Sequence, residues 1–219
     1  DVCSSDLSVL AACISTAQAQ SSPDELLDRM HDIVNAIDYE GTVFRTANGE
    51  SEALMIVRKI IDGVINEKLV SQEGNGLEII RIGNEVHCIL PDKQTVLIEE
   101  WADQSTLFSA LPSSDIRYGA EYDVSIVRED RVAGRRAIML AIRPHDSFRY
   151  GHRIWLDAET SFPLKTEMVS IDGDLIEQIK FAEIMIGDGI RKESLAPSVS
   201  LENFSWFSEP QRYASAEIE

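Results

Sequence analysis

The sequence predicts a mainly β (α+β) protein. We expect a strongly curved, open antiparallel β-barrel of about 10–11 strands, covered by an N-terminal helix and a short central helix. One segment near the N-terminus has helical periodicity, many short segments rich in Val, Ile and Thr follow it, and turn signals separate those segments. With 44% hydrophobic and 26% charged residues among 219, the chain can bury a sizeable core.

The helix begins at a clear start signal. Ser22 is a favourable N-cap, Pro23 suits the first helical position, and Glu25 completes a capping box with Ser22. Apolar residues then recur at helical spacing and form one stripe: Leu26, Leu27, Met30, Ile33, Val34 and Ile37. The pattern predicts one amphipathic helix over residues 24–37.

After the helix, the sequence pattern becomes that of β-strands. Turn signals such as Asn48-Gly49, Asp62-Gly63 and Asp172-Gly173 separate the segments and indicate consecutive antiparallel hairpins. The predicted strands cover residues 40–47, 51–61, 64–71, 77–82, 85–90, 94–99, 121–129, 135–143, 148–157, 163–171 and 175–186. The interval 102–119 breaks the pattern and holds a predicted short helix around Ser105 to Leu111.

Several strands are apolar on both faces, for example Leu54 to Val57 and Ala137 to Ile142. A sheet with one solvated face would alternate more regularly, so we expect the helix to cover one face and the other to line an interior. That interior is a packed core or a ligand cavity, and periodicity does not choose between them. The candidate residues for a lipid cavity are Phe44, Leu54, Ile56, Ile80, Ile89, Met139, Trp155, Met168 and Phe181.

The N-terminal segment has the pattern of an export signal. Residues 7–17 are small and apolar, and Ala17-Gln18-Ala19 reads as a signal-peptidase site, so residues 1–19 are predicted to be removed. The acidic Asp1 to Asp6 stands where a basic region is expected, which indicates an altered or truncated start. One alternative is a lipoprotein signal, with Cys13 acylated and anchoring the protein to a membrane. Another is a short helix of a cytoplasmic protein.

The remaining chain divides into two predicted parts. Residues 20–200 form the main domain, and residues 201–219, with Pro210 and several Ser and Glu, form a linker towards a further domain. Cys88 then has no cysteine partner within the main domain, and its apolar neighbours favour a buried structural role.

Composition and motifs exclude several function classes. A formal net charge of −18 argues against nucleic-acid binding, which needs clustered cations. The sequence holds none of the common catalytic, zinc or nucleotide motifs, so we assign no catalytic, metal or cofactor residue and expect a protein that is not an enzyme. His145 and His152, with Asp146, make only a weak metal-site candidate. A hydrolase with a nonstandard carboxylate pair is the enzymatic alternative.

Arginines are concentrated between positions 128 and 153. That interval contains seven arginines and three acidic residues, a net charge of +4. Because the guanidinium fork suits phosphate and carboxylate, the run indicates a face for lipid headgroups or an acidic partner. The alternative is that the arginines pair with acidic residues on neighbouring strands. The candidates for this face are Arg128, Arg131, Arg135, Arg136, Arg149 and Arg153.

Two segments of this region carry a family resemblance. The stretch DRVAGRRA, Asp130 to Ala137, leads into RPHDSFRYGHRIWLD, Arg143 to Asp157, and then into Pro163-Leu164-Lys165. Tyr39 to Thr42 and the stretch VHCILPD, Val86 to Asp92, add further matches. Over roughly residues 22–205 the chain resembles the MucB/RseB family of periplasmic regulators.

The resemblance implies a fold and a function. The fold is similar to that of the lipoprotein carriers LolA and LolB, with an apolar cavity. The implied partner is the periplasmic domain of a membrane anti-sigma factor (RseA or MucA), which the protein shields from regulated proteolysis. Lipid or lipopolysaccharide is the implied signal, and a homo-oligomer is compatible with the family. Its second, C-terminal domain is not recognisable in this sequence. The alternative function is a LolA/LolB-like lipid or lipoprotein carrier.

Overall fold

The computed structural model describes residues 21–74, 76–100 and 120–208. Within these ranges one α-helix packs against one twelve-stranded sheet. The helix is α1, Pro23–Ala36, and the strands are β1 Tyr39–Ala47, β2 Glu50–Ile61, β3 Val64–Ser71, β4 Glu78–Ile82, β5 Glu85–Leu90, β6 Thr95–Glu100, β7 Tyr122–Val132, β8 Arg135–Pro144, β9 Gly151–Asp157, β10 Pro163–Val169, β11 Leu175–Ile186 and β12 Ser205–Ser208. Short 3-10 turns lie at Pro91–Lys93 and Lys192–Leu195.

The predicted helix is confirmed, with its start at the predicted cap. Ser22 Oγ accepts a hydrogen bond from the Glu25 backbone N–H (3.2 Å), and the Ser22 N–H donates to the Glu25 carboxylate (3.0 Å). This capping box satisfies backbone donors that the first helical turn leaves free. The apolar stripe faces the sheet, and its buried members are Leu26, Leu27, Met30 and Val34.

The sheet is open and consists of two antiparallel meanders. Its strand order is β12-β6-β5-β4-β3-β2-β1-β11-β10-β9-β8-β7, so the meander β1–β6 joins the meander β7–β11 through the antiparallel pair β1–β11. The mainly β, open-sheet prediction is confirmed. Consecutive hairpins did not predict the β1–β11 pair, because its residues are far apart in sequence. The predicted helix at 105–111 and the export signal lie outside the described residues.

Strand β12 corrects the expected strand count. It pairs in parallel with β6, Trp206 opposite Val96, and makes twelve strands within the described residues rather than 10–11. The Pro, Ser and Glu content of residues 201–219 predicted a linker there, and the four residues Ser205–Ser208 are too few to show a strand period. The short segment finds its backbone partners on the edge of β6. The domain boundary at residue 200 itself stays a prediction.

The two faces of the sheet pack differently. On the inner face, which α1 covers, Val43, Leu54 and Phe181 share one row of the β2–β1–β11 register and lie in the main core with the helix. On the outer face, a smaller cluster of Ile80, Ile89 and Val96 is covered by Leu201 and Phe204. The apolar character of both faces therefore has two separate causes, a helix on one side and the chain after β11 on the other.

Charged side chains are also buried on the inner face. Arg58 (0% exposed) lies with one Nη 3.9 Å from Glu67 Oε1, and its other Nη donates to the carbonyl of Asn35 at the end of α1 (3.2 Å). The Tyr39 hydroxyl donates to Glu67 (3.4 Å), and burial, followed by the nearby Glu67 charge, raises the pKa of Tyr39 well above its ordinary value. This cluster ties β1, β2 and β3 to the helix.

Candidate functional site

A groove lies on the outer face of β7–β10 and has a volume of about 690 Å³. Met139 and Trp155 form part of its lining, and they are cross-strand neighbours in the register of β8 and β9. The turn between β10 and β11 contributes Ile171 to one wall. A groove of this size is in the range of sites for small ligands.

Small residues create the depression in the sheet. Ala141 on β8 and Gly151 on β9 both line the groove, where longer side chains would fill the same space. A Cβ atom at Gly151 would lie 3.2 Å from Val169 Cγ2 and 3.3 Å from the Ile142 carbonyl oxygen. Gly151 therefore permits the close approach of Val169 and of the β8 backbone at this end of the groove.

Trp155 is held in a fixed orientation at the groove. Its indole N–H donates to Asp130 Oδ2 (2.9 Å), and Lys165 Nζ lies 4.2 Å from the centre of its ring, a cation–π contact. Lys165 also pairs with Glu167 at 2.7 Å, and Glu167 pairs with Arg153 at 3.2 Å. The Trp155 ring and the charged side chains of Lys165, Glu167 and Arg153 therefore hold one another in position.

The groove is cationic in an acidic protein. Its described lining includes four cations, Arg128, Arg143, Arg153 and Lys165, and one carboxylate, Glu167. A second carboxylate, Asp130, is not part of the lining but pairs with Arg128, with 3.1 Å between Asp130 Oδ2 and an Arg128 Nη atom. When Asp130 is counted, the net charge of these groove groups is +2. Its hydrogen bond from Trp155, helped by those from the Arg131 N–H and Arg128, lowers the Asp130 pKa and keeps it ionised.

Two titratable side chains, one in the groove lining and one on a distant strand, are neutral near pH 7. Burial lowers the pKa of His152, so its ring adds no charge to the lining. Burial, followed by the charge of Glu99, raises the pKa of the Cys88 thiol on distant β5. Cys88 is therefore poorly suited to nucleophilic chemistry.

The six arginines predicted for an anion face do not form one face. Arg128 and Arg153 line the groove, whereas the others have local partners elsewhere. Arg135 binds Asp157, Arg136 lies 3.4 Å from Glu129, Arg149 pairs with Asp146 and Glu121, and Arg131 donates to the Gly134 carbonyl. Three of these four pair with acidic residues, as in the alternative, whereas Arg131 bonds a backbone carbonyl instead.

Two groove cations were not among the sequence candidates. Arg143 belongs to the same arginine run, and within residues 21–74, 76–100 and 120–208 it has no acidic group within 4.0 Å. Lys165 stands in the Pro163-Leu164-Lys165 segment, at the start of β10. The alternation of β8 and the pairing of β9 with β10 place them near Arg153, a neighbourhood that composition alone does not reveal.

The nine residues predicted for one lipid cavity occupy several places. Leu54, Ile56 and Phe181 are packed in the inner core beneath α1, and Ile80 and Ile89 belong to the outer cluster under Leu201 and Phe204. Met139 and Trp155 line the groove, Phe44 is exposed on the outer face, and Met168 borders a small cleft beside Ile154. The structure thus brings only two of the nine together at an open site.

Metal binding finds no support among the described residues. No three side chains of the His, Cys, Asp and Glu types come together there in a way that could hold an ion. His145, the weak metal-site candidate, lies 3.1 Å from Asp123 instead. Across the described ranges, no helix is long and apolar enough to cross a membrane.

Comparison with known proteins gives the family. The model of the MucB/RseB N-terminal domain matches residues 22–199, which include the whole groove. The chain belongs to the MucB/RseB family. This confirms the resemblance carried by the RVAGR and RYGHRIWLD stretches.

Relatives within the MucB/RseB family are regulators. The sigma factor AlgU regulatory protein MucB of Pseudomonas aeruginosa is 29% identical over 190 residues, 86% of this chain and 58% of that protein. The sigma-E factor regulatory protein RseB of Haemophilus influenzae is 26% identical over 185 residues, 84% of this chain and 58% of that protein. These names agree with a regulatory rather than an enzymatic protein, and the chain spans less than two thirds of each relative.

Solved MucB structures share the fold. The crystal structure of MucB superimposes with a TM-score of 0.66 at 27% identity, covering 80% of this chain and 62% of MucB. The complex of MucA and MucB from Pseudomonas aeruginosa superimposes with a TM-score of 0.64 at 26% identity, covering 80% of this chain and 60% of that chain. A further MucB structure contains the periplasmic region of MucA, which makes that region the partner of MucB.

Proposed function

We propose that this protein is a periplasmic regulatory binding protein that binds the periplasmic region of a membrane anti-sigma factor and protects it from regulated proteolysis. The observation that carries the proposal is the match, at 26–27% identity, to MucB structures that include complexes with MucA. A cationic groove in a chain of net charge −18 adds a local surface on which an anionic signal could act.

A binding experiment tests the partner. The chain is titrated with the purified periplasmic region of MucA by isothermal titration calorimetry, and a dissociation constant in the micromolar range or tighter is expected. That value corresponds to about 8 kcal/mol of binding free energy. The absence of heat and of a shift in sedimentation at about 100 µM would show that this chain does not contain the partner site.

A protection experiment tests the regulatory consequence. The same MucA region is digested by its envelope protease with and without a saturating amount of the chain. We expect slower cleavage in proportion to the bound fraction, because bound MucA is withheld from the protease. An unrelated acidic protein of similar size is the control. Equal cleavage rates at saturation would contradict the protective role.

Export is a separate part of the proposal. Cleavage between Ala19 and Gln20 would release a soluble periplasmic protein, whereas acylation of Cys13 would anchor it to a membrane. Mass spectrometry of the protein recovered from a bacterial envelope separates the two outcomes. A mass beginning at Gln20 is expected, and a lipid-modified Cys13 would overturn the soluble form.

A further inference from the structure

A row of charged side chains crosses the inner face of β2, β3 and β4, close to the end of α1. Arg58 on β2 lies opposite Glu67 on β3, and Glu67 lies opposite Arg81 on β4. All three are buried, with 0%, 1% and 2% of their surfaces exposed. With Glu67 ionised, the row holds two positive charges and one negative charge inside the protein, an excess of +1.

The hydrogen-bonding capacity of this row is only partly used. One Nη of Arg58 donates to the Asn35 carbonyl (3.2 Å), and Arg81 Nε donates to the Gly83 carbonyl (2.6 Å). Among the described residues, the buried side-chain atoms without a hydrogen-bond partner are Arg58 Nε, Arg58 Nη1, Arg81 Nη1 and Glu67 Oε2. All of them belong to this row. Three are donor atoms, so the row lacks chiefly an acceptor.

Glu67 does not neutralise both guanidinium groups. Its Oε1 lies 3.9 Å from Arg58 Nη1, too far for a hydrogen bond, and Arg81 has no acidic group within 4.0 Å in the described part of the chain. Lys68, a buried cation on the outer face, is different. Its Nζ has oxygen acceptors at 2.6 and 2.9 Å and pairs with Glu78 at 3.8 Å. Burial alone therefore does not explain the unmet donors of the inner row.

We infer that Arg58 and Arg81 together bind one small monovalent anion, a halide or a short carboxylate, beside Glu67. Buried charges persist in proteins where a counter-charge and hydrogen bonds compensate for the lost hydration. Water supplies acceptors but no charge, whereas a monovalent anion supplies acceptors for the three free donor atoms and cancels the excess of +1. A divalent anion would reverse the excess to −1 beside Glu67.

The strand geometry suits such a shared ion. Arg58 and Arg81 stand on either side of β3, so their backbones are about 10 Å apart, a distance that two long side chains reaching towards each other can bridge. Because Arg58 also holds the Asn35 carbonyl, the ion links β2 and β4 to the end of α1. The site is structural, lies on the face opposite to the groove, and does not depend on the proposed partner.

Thermal unfolding of the full chain tests the site. The melting temperature is measured in sodium chloride, sodium acetate and sodium gluconate at equal ionic strength, which keeps charge screening constant. Gluconate is too bulky for an enclosed site and serves as the reference anion. At a hundredfold excess over its dissociation constant, a bound anion shifts the folding equilibrium about hundredfold, which corresponds to a rise of about 5–10 °C. We expect such a rise in chloride or in acetate relative to gluconate.

Variants connect the anion effect to the row. Arg81→Gln leaves the row without excess charge and should abolish the dependence of the melting temperature on the anion. Glu67→Gln raises the excess to +2, so the anion should act at an at least about tenfold lower concentration. Lys68→Met is the matched control, since it removes a buried cation whose donors already have partners. This control should melt at a lower temperature but keep the anion dependence of the wild type.

Each outcome decides the inference. Equal melting temperatures of the wild type in all three salts would overturn it and leave water as the acceptor. An equal anion effect in the wild type and Arg81→Gln would also overturn it, because the ions then act elsewhere. A rise in chloride alone assigns the site to a halide, and a rise in acetate extends it to short carboxylates.

Crystals of the wild-type protein grown in sodium bromide locate the ion without any variant. An anomalous difference peak between Arg58 and Arg81 is expected. Bromide peaks confined to the protein surface would mean an adventitious ion only and would contradict the site.

Discussion

Asp157, at the end of β9, accounts for the position of Arg135 and offers a sharp test of whether that arginine is structural. The carboxylate is 2% exposed and accepts hydrogen bonds from Arg135 Nε (2.5 Å) and Nη (3.3 Å). It also accepts from the backbone N–H groups of Glu159 (3.1 Å) and Thr160 (2.9 Å). One acid therefore closes the turn between β9 and β10 and anchors the start of β8.

The perturbation is Asp157→Asn, which keeps the shape and removes the charge. The new amide NH₂ faces the guanidinium donors, so two charge-assisted hydrogen bonds are lost or inverted. At about 1.5–3 kcal/mol each, partly recovered by relaxation, we expect a loss of about 3 kcal/mol in the free energy of unfolding. For a domain of about 150–250 residues this corresponds to about 6–12 °C in melting temperature.

The effect has a defined pH dependence. Burial favours the neutral form of Asp157, but the hydrogen bond from Arg135, the Thr160 and Glu159 N–H groups and the Arg135 charge together lower its pKa below the ordinary 3.8. A lowered folded-state pKa stabilises the protein above the unfolded value, and the gain is lost as pH falls through the folded value. The gap between wild type and Asp157→Asn should therefore be full at pH 7 and shrink below about pH 4.

Urea unfolding at several pH values measures this gap. Arg135→Gln should lose a similar amount, and the double variant should lose much less than the sum, because both changes remove one interaction. Arg136→Gln is the matched control, since Arg136 and Glu129 are 73% and 77% exposed at the side chain. A melting temperature unchanged in Asp157→Asn, or a gap that does not depend on pH, would refute the assigned role.

Three further predictions concern the fold. Gly41→Ala should cost about 1–3 kcal/mol, because the new Cβ would overlap the Glu183 carbonyl oxygen across β1–β11; thermal unfolding measures it. Arg58→Met should cost about 3–5 kcal/mol by leaving Glu67 buried without its cation, and adding Glu67→Gln should recover part of the loss in denaturant unfolding. Phe204→Ala should speed hydrogen exchange in β4 and β5 but not in β8 and β9, and uniform acceleration would contradict a local role.

Much of the secondary structure could be predicted from the sequence, because its causes are local. The capping residues Ser22 and Glu25 lie three positions apart, and each hairpin turn depends on two to four neighbouring residues. The predicted strand ends therefore agree with most of the observed ones within one to three residues. The sequence did not predict β12, because its four residues show no strand pattern of their own. They form a strand only by pairing with β6.

The candidate site was predicted only in part. The density of arginines between positions 128 and 153 indicated a cationic region, and Arg128 and Arg153 do line the groove. Which arginines are paired depends on acidic partners supplied by other strands, as Asp157 is for Arg135 and Glu167 is for Arg153. Residue type cannot reveal such partners, because they are chosen by strand register.

The sequence by itself determined the fold class, the helix, most strands and the family, since these rest on short-range patterns and on two specific segments. Tertiary structure alone decided the β1–β11 junction, where Arg45 meets Glu177 from 132 positions away. The tertiary structure also decided which residues line the groove. Period-two alternation sends adjacent side chains to opposite faces, and the register of β9 with β10 brings Arg153, Lys165 and Trp155 to one face.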